Sequence, residues 1–366
     1  MRYIWQHITT ITTGYDGKVP LTHFLKHYFK QHPQLGSRDR RILSEMAYCW
    51  YRCSKGVEGP ATFENKLLAC LQISGNADVQ KRFPFEGAFS IEQDKLFPYA
   101  TAFSEGIEKA EWLESMLRQP DLFIRVRGDK RKIEQLLDEH AIPFEYMADR
   151  CMALPNGAAI DKLLPADSYV VQDASSQRTG QYFAPKAGEH WLDCCSGAGG
   201  KSLLLKDMEP TVKLAVSDIR DTILHNLRER FRSYGHQAPV TYTTNVSDSK
   251  ALAATLKSAH FDNIICDVPC SGSGTWARTP EQLYFFDPLS VSKFSALQAA
   301  IATNVAKYLK PGGRLIYITC SVFDEENQQV VNKVVQQTGL KCINSGIING
   351  IDIKADSMFA AVLQKG

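Results

Sequence analysis

Two apolar runs in this chain stop at residues able to do covalent chemistry. "NIICDVPCSGSG", Asn263 to Gly274, ends its run on Asp267 and carries Cys270 three residues later in a glycine-rich turn, while "RLIYITC" ends on Cys320. A thiol is partly ionised near neutral pH, attacks electron-poor carbon well and leaves again easily. C5 of cytosine needs such help, because it is a poor nucleophile until a thiolate adds to C6 and makes C5 enamine-like. An acid that hydrogen-bonds or protonates N3 stabilises the charge created by that addition. Asp267, Cys270 and Cys320 therefore suit methylation of a pyrimidine carbon, provided a methyl donor lies beside them. Isolated buried cysteines are usually inert packing residues, and Cys194, Cys195 and Cys266 are read that way.

A donor site is legible upstream. "LDCCSGAGGKSLLL" is a glycine-rich turn opening a helix, where backbone N–H groups approach a nucleotide-like ligand. A P-loop requires G-x-x-x-x-G-K-[ST]; Gly200 to Ser202 supplies the last part, but the first glycine falls on Cys195. A dinucleotide fingerprint requires G-x-G-x-x-G, and Gly197, Gly199 and Gly200 have the wrong third spacing. What remains is an S-adenosylmethionine loop, which needs close backbone approach but no phosphate cradle. Asp218 ends "KLAVSD", twenty-five residues after Asp193, and is placed as an acid that accepts from ribose hydroxyls. The plainer reading of Asp218 is a helix cap. Asn245 ends "VTYTTN"; its amide suits an adenine edge, and the same residue type suits any turn.

These residues work only if the fold brings strand ends together. After "VVQDASSQ" the chain alternates apolar runs ("HWLDCC", "KLAVSD", "VTYTTN", "FDNIICD", "RLIYITC") with helical segments such as "TILHNLRERFRSYG" and "SKFSALQAAIATNVAKYL". Apolar strands separated by helices imply a mostly parallel sheet covered on both faces, with ligands at the carboxyl ends of the strands. Upstream, residues 1–115 read as a helical domain. Leu43, Met46, Ala47 and Trp50 fall at helical spacing behind Ser37 as a cap, and Leu21, Phe24, Leu25 and Tyr28 repeat the pattern. Residues 116–170 read as a small α/β unit, with strands in "DLFIRVRG" and "PFEYMA" around the helix "RKIEQLLDEH". Arg125, Arg127, Lys130, Arg131 and Lys132 beside Phe123 suit single-stranded RNA. An ordinary solvent-facing strand with an aromatic in the core is the slightly favoured alternative. Residues 171–366 form the third domain.

Composition limits the partners. The chain has 366 residues, 42 Lys+Arg against 40 Asp+Glu and 44% hydrophobic residues, enough for a full core but too balanced in charge to identify a partner. The first sixty residues are locally basic, with Arg2, Lys18, Lys26, Lys30, Arg38, Arg40, Arg41, Arg52 and Lys55 against four acids, so this end either meets phosphate or presents a solvated face. "MRYIWQHITT" lacks a signal peptide's apolar core, and no run approaches the roughly twenty apolar residues of a membrane span. A cytoplasmic protein without a membrane partner is expected, its ten cysteines reduced. None forms a C-x-x-C pair, so no metal is expected. Nothing demands more than a monomer.

In these motifs the chain resembles the RNA (cytosine-5) methyltransferases, and most closely their bacterial small-subunit rRNA branch, the RsmB/Sun-like proteins. "VQDASSQ" is similar to that family's lead-in, "LDCCSGAGGKS" to its cofactor loop, "DVPCSGSGTWARTPE" to its Asp-x-Pro-Cys loop, "YITCSVFDEEN" to its Thr-Cys-Ser motif, and "FAAVLQK" to its closing strand. The resemblance implies a Rossmann-like class I methyltransferase domain behind an N-terminal helical domain and an RRM-like linking unit. It implies Cys320 as the attacking nucleophile, Cys270 as an aid to product release, and Asp267 as a contact to both base and cofactor. Cys195, Ser196, Gly197, Ala198, Gly199, Gly200, Lys201, Asp218 and Asn245 would then hold S-adenosylmethionine. The implied partner is RNA, rRNA before tRNA. "SRDRR" ahead of the long helix resembles an antitermination-factor-B-like RNA-binding domain. Two positions depart from the pattern: Ala198 stands where the family usually has proline, and Asn245 where aspartate is common. A non-catalytic RNA-binding assembly factor is the rival from another class, and it has no use for both thiols.

Overall fold

The computed structural model describes residues 2–366; Met1 and the side chain of Arg2 lie outside the described residues. The chain forms two compact units, one comprising Met1–Thr101, Glu108–Pro120 and Thr275–Pro288, the other Ala102–Ile107, Asp121–Gly274 and Leu289–Gly366. The second unit thus unites the regions read as 116–170 and 171–366, while Thr275–Pro288 groups with the helices of the first.

The first unit is built from α1 (Arg2–Gly14), α2 (Leu21–Gln31), α3 (Ser37–Cys53), α4 (Phe63–Ser74), α5 (Ala77–Arg82), α6 (Lys109–Met116) and α12 (Pro280–Tyr284), with a short antiparallel pairing of β1 (Val57–Glu58) and β2 (Ser90–Ile91) across α4 and α5. Leu21, Leu25, Tyr28, Leu43, Met46 and Ala47 are buried, as their spacing requires, and Phe24 and Trp50 are half-buried. Ser37 is not the cap of α3: Gly36 occupies that position in extended conformation, and no side chain caps the helix. Arg52 is also committed to packing. It is 2% exposed and donates through Nη1 to the carbonyls of Met116 (2.8 Å) and Arg118 (3.2 Å), whereas Lys18, Lys26, Lys30, Arg38 and Arg41 are exposed. Within Thr275–Pro288, Trp276 is buried with its ring 5.7 Å from that of Trp112.

The second unit contains two sheets. β3 (Leu122–Val126), β4 (Glu145–Ala148), β5 (Cys151–Leu154) and β6 (Tyr169–Val171) form a small antiparallel sheet in the order β4-β5-β3-β6, joined by α7 (Lys130–Glu139). Its strand-borne cations do not face solvent. Arg125 and Arg127 both bond Asp207, Arg127 through Nε at 3.0 Å and Nη2 at 2.9 Å, and Phe123 is buried. The RNA-facing reading of Arg125, Arg127 and Phe123 is therefore corrected to a structural one, while Arg131 and Lys132 on α7 remain exposed.

The larger sheet holds β7 (His190–Asp193), β8 (Lys213–Asp218), β9 (Val240–Thr243), β10 (Phe261–Asp267), β11 (Leu309–Thr319), β12 (Lys341–Ile348) and β13 (Met358–Gln364) in the order β12-β13-β11-β10-β7-β8-β9. The five strands from β11 to β9 are parallel, and β13 is antiparallel to both β11 and β12. This is a Rossmann-like, mostly parallel sheet, flanked in sequence by α8 (Ala174–Arg178), α9 (Gly200–Met208), α10 (Asp221–Ser233), α11 (Ser249–Leu256), α13 (Leu289–Ala306) and α14 (Gln328–Thr338). Neighbouring residues enter opposite cores, Ile264, Cys266, Leu315 and Tyr317 on one face and Ile265, Ile316 and Ile318 on the other, so the strands read as unbroken apolar runs. From β7 the chain winds outward through β8 and β9, then returns to lay β10 and β11 on β7's other side. The carboxyl ends of β7 and β10 are thus the switch point where such sheets bind ligands.

Candidate active site

The strand ends converge as their register dictates. Asp193 pairs with Ile265 on β10 and Val216 on β8, and Asp267 with Ile318 on β11, so Asp193, Asp218, Asp267 and Cys320 share the carboxyl edge. Cys194 and Cys195 lie just beyond β7, Cys320 directly after β11, and Asn245 two residues past β9.

Between β7 and α9 the chain makes a tight turn. Gly199 caps α9 in the left-handed region at φ 82°, and a Cβ there would stand 2.9 Å from Leu227, so the turn needs glycine at this point. Gly197 donates its N–H to Asp218 Oδ2 at 3.1 Å, tying the loop to the end of β8. The other Asp218 oxygen accepts from the backbone N–H (2.9 Å) and Nε (3.0 Å) of Arg220. Burial works to raise the Asp218 pKa, but Arg220 and the Gly197 N–H outweigh it and hold the carboxyl below the usual carboxylate range. Asn245 is exposed, and its Oδ1 accepts from the N–H and Oγ of Ser247 at 3.1 and 2.8 Å; Asp248, not Asn245, caps α11. Ala198 is exposed, and its carbonyl accepts from Arg230. This edge fits an adenosyl ligand chemically, with a glycine turn for close approach and an ionised acid at the next strand for hydroxyl groups.

Lys201, in the first turn of α9, forms an ion pair with Asp267 at 2.9 Å, the two side chains being 12% and 28% exposed. Burial alone would lower the Lys201 pKa; the charge of Asp267 and the hydrogen bond to it reverse that and raise it. Asp193 beneath them is fully buried, and its Oδ2 accepts from Ser202 Oγ at 2.6 Å while Oδ1 has no partner. Burial, with Asp267's charge adding to it, pushes its pKa up to about 7. A protonated carboxyl is the less costly species to bury here.

The two thiols meet across adjacent strand ends, with Cys270 Sγ and Cys320 Sγ 3.2 Å apart and both cysteines half-buried. Their hydrogen bond, then burial, raises the Cys270 pKa well above an ordinary thiol's, so Cys270 keeps its proton. Gly274 locks the two loops together: its N–H donates to the Cys320 carbonyl at 2.9 Å, and a Cβ there would lie 1.9 Å from the Ser357 carbonyl oxygen. Cys194 and Cys266 are buried in the core, and all ten cysteines are free thiols. Among the described residues, sequence reasoning missed Glu326 and Gln298, both fully buried beneath the cysteine loops. The run "DEEN" directly after the Thr-Cys-Ser segment was the available signal, but acidic runs ordinarily read as solvated.

Residues 180–360 match the family model described as 16S rRNA methyltransferase RsmB/F. This segment is similar to the RsmB/F family. It contains every motif residue at the carboxyl edge described above. Over 168 residues the chain is 34% identical to proteins named ribosomal RNA small subunit methyltransferase B from Salmonella arizonae and Salmonella paratyphi A, a match covering 46% of this chain and 38% of each relative. The chain thus spans well under half the length of those relatives. Among solved structures, that of PH0851 superposes over 98% of this chain and 97% of its own with a TM-score of 0.73 at 18% identity. NSun6 from Pyrococcus horikoshii, solved with SFG, covers 81% of this chain and 99% of its own with a TM-score of 0.61 at 15% identity. At such identities the likeness speaks to the fold alone.

Proposed function

We propose that this protein transfers a methyl group from S-adenosylmethionine to C5 of a cytosine in RNA, small-subunit rRNA in preference to tRNA, through a covalent bond between Cys320 and C6. The observation that carries the reading is the pairing of Cys270 and Cys320 at 3.2 Å beside the Lys201–Asp267 ion pair. The names carried by the matching family and relatives favour RNA, and rRNA in particular.

S-adenosylmethionine, held by the Cys195–Lys201 turn, Asp218 and Asn245, supplies an electrophilic methyl group on a sulfonium. Asp218 accepts from the ribose hydroxyls, for which the exposed Arg220 side chain gives up part of its hold. The Asp267 side chain faces the cytosine at N3 and its exocyclic amine and steadies the charge that develops as the Cys320 thiolate adds to C6. C5, now enamine-like, takes the methyl group and then gives up its proton to solvent water as the Cys320–C6 bond breaks and the electron pair returns to Cys320. Cys270, holding its proton beside Cys320, donates S–H to the departing thiolate and so eases release. Lys201 orients the Asp267 side chain through their contact at 2.9 Å. Residues of this kind work in a reducing, cytoplasmic setting, where thiols stay free.

The test is direct. Incubation with labelled S-adenosylmethionine and separate rRNA and tRNA pools should label rRNA, with 5-methylcytosine as the modified base. Label in another base, or in neither pool, rejects the reading.

A further inference from the structure

Glu326 lies six residues beyond Cys320, is 0% exposed, and takes four hydrogen bonds from groups that flank the two thiols. Its Oε1 accepts from the Ser271 N–H at 2.8 Å and from Gln298 Nε2 at 3.0 Å. Its Oε2 accepts from Ser271 Oγ and Ser321 Oγ, each at 2.5 Å. Ser271 directly follows Cys270, and Ser321 directly follows Cys320. One carboxylate therefore bridges the residues after both cysteines, and Gln298 extends the link by donating to the Pro269 carbonyl at 3.0 Å, just before Cys270.

We propose that Glu326 is a positioning residue that sets the spacing of the Cys270 and Cys320 thiols by holding Ser271 and Ser321 at once. An amide in its place cannot do this. Glutamine offers one acceptor oxygen and turns an NH2 group toward hydroxyls that now donate, so one loop loses its anchor. The charge of Glu326 also adds to the raised Cys270 pKa, behind the hydrogen bond with Cys320 and burial. The consequence for turnover rests on the methyl-transfer reading above; the spacing itself does not.

The test uses the full-length protein and the azo oxidant diamide, which takes two hydrogens from a pair of thiols, becoming the hydrazine as the disulfide forms. The rate of Cys270–Cys320 disulfide formation, followed by peptide mass spectrometry after alkylation, measures how often the two sulfurs meet. Glu326→Gln should slow it by about tenfold, the scale of one lost charged hydrogen bond. Ser271→Ala, a milder change that keeps the fold if Glu326→Gln does not, should slow it several-fold. Val330→Ala, a core truncation in α14, should lower the melting temperature while leaving the rate unchanged. In single turnover with RNA, Glu326→Gln should lower the methylation rate with little change in the RNA concentration for half-saturation. Disulfide formation at the wild-type rate in a folded Glu326→Gln or Ser271→Ala protein overturns the proposal, as does equal slowing in Val330→Ala. Slowed disulfide formation in a protein whose wild type methylates no RNA upholds the positioning role and rejects the methyl-transfer reading instead.

Discussion

Asp207 and Asp267 are both aspartates that bind cations within the same compact unit, and their surroundings set them to different work. Around Asp207, Arg125, Arg127 and His236 converge, with every side chain in the cluster 15% exposed or less. Burial would raise the Asp207 pKa, but Arg127, Arg125 and His236 together hold it below the usual range. Asp267 pairs with Lys201, remains 28% exposed, and ends the strand that leads into Cys270. The first cluster spends its charges within the chain and fastens the small sheet to α9. The second keeps a carboxylate face and two thiols at a strand edge where a base and a cofactor can meet.

The sharpest way to break this comparison is to remove each acid and ask which property fails. Asp207→Ala leaves Arg125 and Arg127 buried without their partner and should cost about 3–5 kcal/mol of stability in urea unfolding, with methylation per folded molecule retained. A loss below about 1 kcal/mol would mean that the cluster is not a fastening. Asp267→Asn should do the reverse, lowering methyl transfer by about 10²–10³-fold while the unfolding curve moves little. Asp218→Ala is expected to weaken S-adenosylmethionine binding by about 1.5–3 kcal/mol in calorimetry, and unchanged affinity in a folded variant would remove Asp218 from the cofactor site.

A further effect concerns pH. The folded protein holds the Asp193 proton up to about 7, whereas the ordinary value is 3.8, so between those values the folded state binds more protons than the unfolded one. Stability contributed by this group therefore falls as pH rises through that window, by at most about 1.4 kcal/mol per unit, and levels off above it. Asp193→Asn should flatten that segment of the stability profile. An unaltered slope would show that Asp193 ionises normally.

The contrast between the two clusters also marks what the sequence could disclose. "KLAVSD" and "FDNIICD" coincide with β8 and β10, because an apolar run ended by an acid is both the strand and the strand end. The two thiols, the glycine turn and Asp218 were legible for the same reason: in a parallel sheet, strand ends share one edge. "HWLDCC" ran two residues too far, since Cys194 leaves the ladder while still bonding the Ile265 carbonyl, and β12 went unread because its residues are mostly exposed. Arg125 and Arg127 suggested RNA because their partner Asp207 is 82 and 80 residues away, a pairing that local patterns do not carry. Glu326 was hidden in the same way, as an acid in an acidic run that takes three of its four hydrogen bonds from Ser271 and Gln298, 55 and 28 residues away.

The central claim is that Cys320 attacks and Cys270 releases. It is tested most directly by incubating Cys270→Ala and Cys320→Ala proteins with RNA and S-adenosylmethionine and resolving them by denaturing electrophoresis. Cys270→Ala should accumulate a protein–RNA adduct, because the bond to C6 forms and the methyl group is transferred but release is slow. Cys320→Ala should give neither adduct nor methylated base. An adduct in Cys320→Ala that is absent from Cys270→Ala would contradict the assignment and exchange the two roles.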